Sequence, residues 1–86
     1  MTNPIAHHCV VAFKRADEKL VAMGPAEYPS ASEAEEAAKA ISSHFAGAVA
    51  LTLTKDHDSG DLLEAKVLLK LGEADFAALV NLFGDD

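Results

Sequence analysis

The stretch AVALTLTKDHDSGDLLEAKVLLKL, residues 48–71, decides the fold. Val49, Leu51 and Leu53 alternate with Ala48, Ala50, Thr52 and Thr54, the period of two that marks a β-strand. Asp56, Asp58, Ser59 and Gly60 then supply turn chemistry: Asp and Ser side chains bond the nearby backbone, and Gly takes a positive φ without penalty. Beyond the turn, Leu63, Ala65, Val67, Leu69 and Leu71 alternate against Glu64, Lys66 and Lys70. The stretch therefore predicts a β-hairpin whose branched residues line the core face.

On its N-terminal side the period changes to that of a helix. Ser30 and Glu33 have capping-box spacing, as do Ser32 and Glu35, and Glu33, Glu35 and Glu36 place negative charge where the helix dipole favours it. Lys39 follows Glu35 by four residues as a supporting pair. Ala34, Ala37, Ala38, Ile41 and Phe45 form a narrow apolar stripe whose small residues imply close approach to a sheet, and Gly47 reads as a left-handed stop.

Further out, Cys9, Val11 and Phe13 alternate with Val10, Ala12 and Lys14, giving a strand that is apolar on both faces. A polar break at residues 15–18 and an extended run at residues 19–23 predict a first hairpin, with Gly24-Pro25 ending or bending its second strand. Residues 1–6 read as a flexible lead. After the break at Gly72-Glu73, Phe76, Leu79, Val80 and Phe83 recur at i, i+3, i+4 and i+7, which predicts a short helix over residues 74–84 closed by Gly84.

The expected architecture is a single α+β domain over residues 1–86: a mainly antiparallel four-stranded sheet of order ββαββ along the chain, one long helix across a face and a short C-terminal helix. The other face, with Val10, Ala12, Ala48, Ala50, Leu62 and Leu68, is too apolar for free solvent and calls for cover by the C-terminal helix or by a second copy of the chain. Phe76, Leu79, Val80, Phe83, Leu62 and Leu68 are the candidate interaction surface.

Charge and composition narrow the function classes. The chain has 86 residues and a net charge of −7, which sets like charge against a phosphate backbone, so nucleic acid is not an expected partner. Its small core favours oligomers. Cys9 is the single cysteine, which implies a reducing compartment, and no run approaches the roughly 18 apolar residues of a membrane span. A cytoplasmic protein is expected, without a membrane partner.

Several residues invite chemical readings that their spacing does not support. His7, His8 and Cys9 resemble metal ligands, but neighbours on a strand face opposite ways, so only His7 and Cys9 can share a site, with His44 or His57 arriving from elsewhere. Residues 56–61 have the composition of a calcium loop, yet Gly60 falls at the fifth position and no bidentate Glu closes the loop. Neither zinc nor calcium is expected. No serine sits in a nucleophile elbow, glycine is too sparse for a phosphate cradle, and Cys9 has no basic sequence neighbour to activate it. Tyr28, Phe45, Phe76 and Phe83 read as the large pieces of a core otherwise built from Ala, Val and Leu. Neither catalytic residues nor a cofactor is expected.

The segments Val10-Val11-Ala12-Phe13-Lys14-Arg15, Lys19-Leu20-Val21, Pro29-Ser30-Ala31 and Ala46-Gly47-Ala48-Val49-Ala50 resemble a set of short uncharacterised bacterial proteins. So does the run from Thr54-Lys55-Asp56 through Ser59-Gly60-Asp61 to Leu71-Gly72-Glu73, its most specific part. The resemblance covers roughly residues 9–73 and implies a strand-strand-helix-strand-strand order; it carries no activity, cofactor or site residue. The longer apolar segment from Phe76 to Phe83 departs from that pattern. Two functions follow as expectations: a non-catalytic protein-interaction module acting as a small homodimer, or a small-molecule binder or minor enzyme using a cleft near His44, Tyr28 and Cys9.

Overall fold

Two hairpins flank one helix in the chain order β1 (Pro4–Ala16), β2 (Lys19–Tyr28), α1 (Ala31–Ser42), β3 (Gly47–Asp56) and β4 (Leu62–Gly72). The computed structural model describes residues 3–75 together with Ala77 and Leu79. The strands form an antiparallel sheet of order β2-β1-β3-β4, so the two hairpins join through β1 and β3 at the centre and leave β2 and β4 at the edges. This is the α+β fold expected from the sequence, with α1 laid across the sheet; the short helix expected over residues 74–84 falls mostly outside the described residues. Pairing of Pro4 with Asp56 starts β1 inside the segment read as a lead, and it carries the strand the full length of β3.

The turns form by local chemistry. In β3–β4, the Asp58 N–H donates to Asp56 Oδ1 at 3.0 Å and the Gly60 N–H to the Asp56 carbonyl at 2.7 Å, while Gly60 takes φ +79°. Asp and Gly thus shape the hairpin as their side-chain reach and conformational freedom dictate. In β1–β2 the break narrows to Asp17 and Glu18, both at positive φ, the two-residue turn whose twist matches a hairpin. β2 does not end at Gly24-Pro25: the register shifts there, the Gly24-Pro25 bond is cis, and the strand runs on to Tyr28. An edge strand tolerates the donor that proline lacks.

Ser30 caps α1, its Oγ accepting from the Glu33 N–H at 3.2 Å. The helix ends earlier than its apolar spacing suggested, at Ser42, with Ser43 as a right-handed cap; the hydroxyls of Ser42 and Ser43 donate to the carbonyls of Lys39 and Ala40. Gly47 is therefore not a helix stop. It opens β3 opposite Gly72, where an added Cβ would fall on the Glu73 backbone.

Face assignment differs from the sequence reading. α1 covers the small-residue face, packing Ala34 and Ala38 onto Val10, Ala48 and Ala50, with Ile41, Leu68, Leu69 and Leu71 at the margin. Alanine against alanine lets a helix come close to a sheet, which is why this face is the helical one. The branched face holds Cys9, Val11, Phe13, Val49, Leu51 and Leu53, and Leu79 is buried among them. The alternation of β4 also breaks. Leu69 pairs with Ala50 but Val67 with Leu51, so a bulge at Leu68 sends Leu69 and Leu71 to the helix side and Ala65 and Val67 to the opposite side. A second irregularity, between Thr54 and Lys55 of β3, leaves Leu63 without a partner there.

Candidate functional site

Residues that the sequence offered for chemistry are spread over both faces and both ends of the sheet. Cys9 lies on the branched face, 2% exposed, its thiol 3.9 Å from the His7 carbonyl oxygen. His44 follows the C-terminal end of α1, and Tyr28 precedes its N-terminal end. The cleft expected near His44, Tyr28 and Cys9 is therefore not one site: the helix separates the first two, and the sheet separates Cys9 from the helix.

His7 and His8 face opposite ways, as strand geometry requires. His7 Nδ1 lies 3.2 Å from Glu27 Oε2 on the branched face, and His8 Nδ1 lies 2.9 Å from Thr52 Oγ1 on the helix side. Among the described residues, no three His, Cys, Asp or Glu side chains converge as metal ligands. His57 donates its backbone N–H to the Asn3 carbonyl, joining the turn to the start of the chain.

Burial pushes the Cys9 thiol above its ordinary range, Glu27 adds to the effect and Lys55 partly opposes it. The neutral thiol is thus the form the folded state prefers. Between the ordinary thiol value, about 8.5, and the raised folded value, the unfolded chain releases a proton that the folded chain keeps. Stability contributed by Cys9 is fully present below that window and is lost as pH rises through it. Urea unfolding across this range is expected to show a steeper alkaline loss for the native chain than for Cys9→Ala; equal slopes would contradict the assignment.

Two open clefts flank α1. One, of about 310 Å³, is lined by Tyr28, Ser32, Glu33 and Glu36 and is acidic. The other, of about 430 Å³, is lined by Lys14, Arg15, Met23, His44, Phe45 and Ala46 and is basic with an apolar floor; Arg15 forms an ion pair with Glu73 beside it. Phe45, which the sequence placed in the helix stripe, belongs to this cleft and is 37% exposed.

Apolar residues also stand exposed on the branched face among the described residues. Ile5, Lys55 and Leu62 form one cross-strand row, and His7, Leu53 and Ala65 the next. Cys9, Leu51 and Val67 form the third. Paired residues share a face, so Leu62, Ala65 and Val67 form an apolar strip along β4 at the hairpin end of the branched face, with Leu62 44% and Val67 47% exposed, and Ile5, 38% exposed, lies on the same face beyond Lys55. Of the candidate surface residues, Leu62 belongs to this patch, Leu68 is half-buried on the helix side, and Leu79 is buried in its own chain. Phe76, Val80 and Phe83 lie outside the described residues. Ile5 and Val67 were missed at the sequence level: Ile5 sat in a supposed lead, and Val67 read as core; it keeps the branched face opposite Leu51, but on an edge strand it stays exposed.

Comparison with protein-family models, with curated proteins and with solved structures returns no match. No helix among the described residues is long and apolar enough to cross a membrane.

Proposed function

We propose that this chain is a non-catalytic protein-interaction module that works as a small homodimer in the cytoplasm. The observation that carries the reading is the exposed patch of Ile5, Leu62 and Val67, which continues a buried branched face out to the edge of the sheet. Exposed apolar surface of this kind supports an interaction site, and a small domain gains more from covering it than a large one does. The acidic net charge of −7 argues for a protein rather than a nucleic-acid or anionic-membrane partner. Light scattering on the purified protein at micromolar concentration is expected to give twice the 9.0 kDa chain mass, with dissociation on dilution. A 9.0 kDa species at every concentration would overturn the reading.

A second reading has its own observation. The basic cleft of about 430 Å³ falls in the volume range of small-ligand sites and sets Lys14 and His44 beside Met23 and Phe45. That combination suits a small anion with an apolar body. Saturable shifts of the His44 ring protons with such a ligand, at unchanged mass, would favour this reading over the first.

A further inference from the structure

We infer that two copies of the chain pair through the β4 edge in antiparallel fashion, about a two-fold axis passing through Ala65. The inference deepens the homodimer reading and rests on it. β4 is an edge strand, so along its length alternate backbone N–H and C=O groups point away from β3, the template on which another strand adds. The other edge is poorly suited to the same use, because Pro25 lacks a donor and a register shift interrupts β2 beside it. On β4, residues 64–67 pair regularly with β3 between its two irregularities, opposite Thr54, Leu53, Thr52 and Leu51 in turn.

This segment is complementary to itself. Read outward from Ala65 in both directions, the chain gives Glu64 against Lys66 and Leu63 against Val67. Antiparallel pairing centred on Ala65 therefore sets Glu64 of each copy opposite Lys66 of the other, two attractive pairs related by the axis. Both side chains are on the helix side of the sheet, since Glu64 pairs with Thr54 and Lys66 with Thr52. A two-fold axis normal to the sheet keeps them on a common face. Opposed residues must share a face, so the competing registers are centred one residue away, on Glu64 or on Lys66; each sets a like pair opposite itself, so charge selects the register centred on Ala65. Leu63 and Val67, each 47% exposed, are brought together across the axis, and the apolar patches of the two copies become neighbours on the branched face. The assembly is isologous, as a closed dimer requires, and the two sheets merge into one of eight strands.

Charge reversal tests the register. Glu64→Lys and Lys66→Glu each convert both attractive pairs into repulsive ones, and each is expected to weaken the dimer roughly tenfold in sedimentation equilibrium. An equimolar mixture of the two variants restores attraction at both pairs, because one chain presents Lys at both positions and the other Glu. The mixture is expected to form a heterodimer at least as tight as the native homodimer. Ala65→Cys supplies a geometric readout: directly opposed residues have Cα atoms about 4.5–5.5 Å apart, within disulfide range. It should yield a disulfide-linked dimer under mild oxidation, faster than Glu18→Cys on the far hairpin turn. Circular dichroism melting confirms that every variant is folded. If the native protein and all variants are equally tight dimers and Ala65→Cys does not cross-link, this interface is overturned while the homodimer stands. A monomeric native protein would overturn both.

Discussion

Phe13→Ala is expected to lower unfolding free energy by about 3–5 kcal/mol, the cost of emptying an aromatic site in a core. Phe13 is 0% exposed on the central strand β1, and its cross-strand neighbours are Ala22 on one side and Gly47 on the other. Neither neighbour has the volume to fill the space the ring leaves, so the site relaxes little and a cavity persists. The buried cluster that it shares with Val11, Val49 and Leu79 loses its largest member at the same time. Domains of this size have about 5–15 kcal/mol of stability in total, so the variant should sit close to its unfolding transition at room temperature. Phe45→Ala is the comparison: Phe45 is 37% exposed in a cleft, and its loss is expected to cost about 1 kcal/mol or less. Urea unfolding at 25 °C measures both. Equal losses for the two variants would show that the ring of Phe13 does not carry the branched face.

The contrast between these residues also explains which parts of the fold were legible in the sequence. The Asp56–Gly60 turn and the Ser30 cap read correctly because their chemistry is local: the donor, the acceptor and the special φ all lie within a few residues. Alternation in β1 and β3 read correctly because those strands lie at the centre and are buried on both faces. The β4 bulge was not legible, because Val67-Leu68-Leu69 satisfies a period of two in either register and only the partner strand chooses. Helix placement followed the same logic. The branched residues looked like the core face, yet the alanines of α1 pack on Val10 of β1 and Ala48 and Ala50 of β3, and the larger residues were left for Leu79. His44, Tyr28 and Cys9 were grouped by residue type, and topology distributed them over two helix ends and the opposite sheet face. Gly47 was read from what precedes it, while its requirement comes from the Leu71 and Glu73 backbone across the sheet.

Gly72→Ala is expected to destabilise the protein by about 2–5 kcal/mol, and Gly60→Ala, in the same region of backbone conformation, by only about 1–2 kcal/mol. The two glycines have φ of +68° and +79°, so an L side chain meets a similar backbone penalty at each. They differ in the space around them. Nothing lies within 4 Å of a Cβ built on Gly60, which is at the tip of the β3–β4 turn. At Gly72 the same atom would overlap the Ala46 carbonyl oxygen and come within 3.1 Å of the Gly47 Cα, both backbone groups that cannot swing aside. The difference between the variants therefore isolates the cost of separating two backbones that glycine lets touch. That contact has a structural purpose. It lets the Glu73 N–H reach the Ala46 carbonyl at 3.0 Å, fixing the chain where it leaves β4 on its way to Leu79 on the branched face. Loosening this junction should release cover from Cys9 as well as lower stability. Gly72→Ala is accordingly expected to label faster at Cys9 with a thiol reagent under native conditions, while Gly60→Ala labels at a rate near that of the native chain. Equal unfolding energies and equal labelling in the two variants would show that the close approach of Gly47 and Gly72 does not hold Leu79 against the sheet.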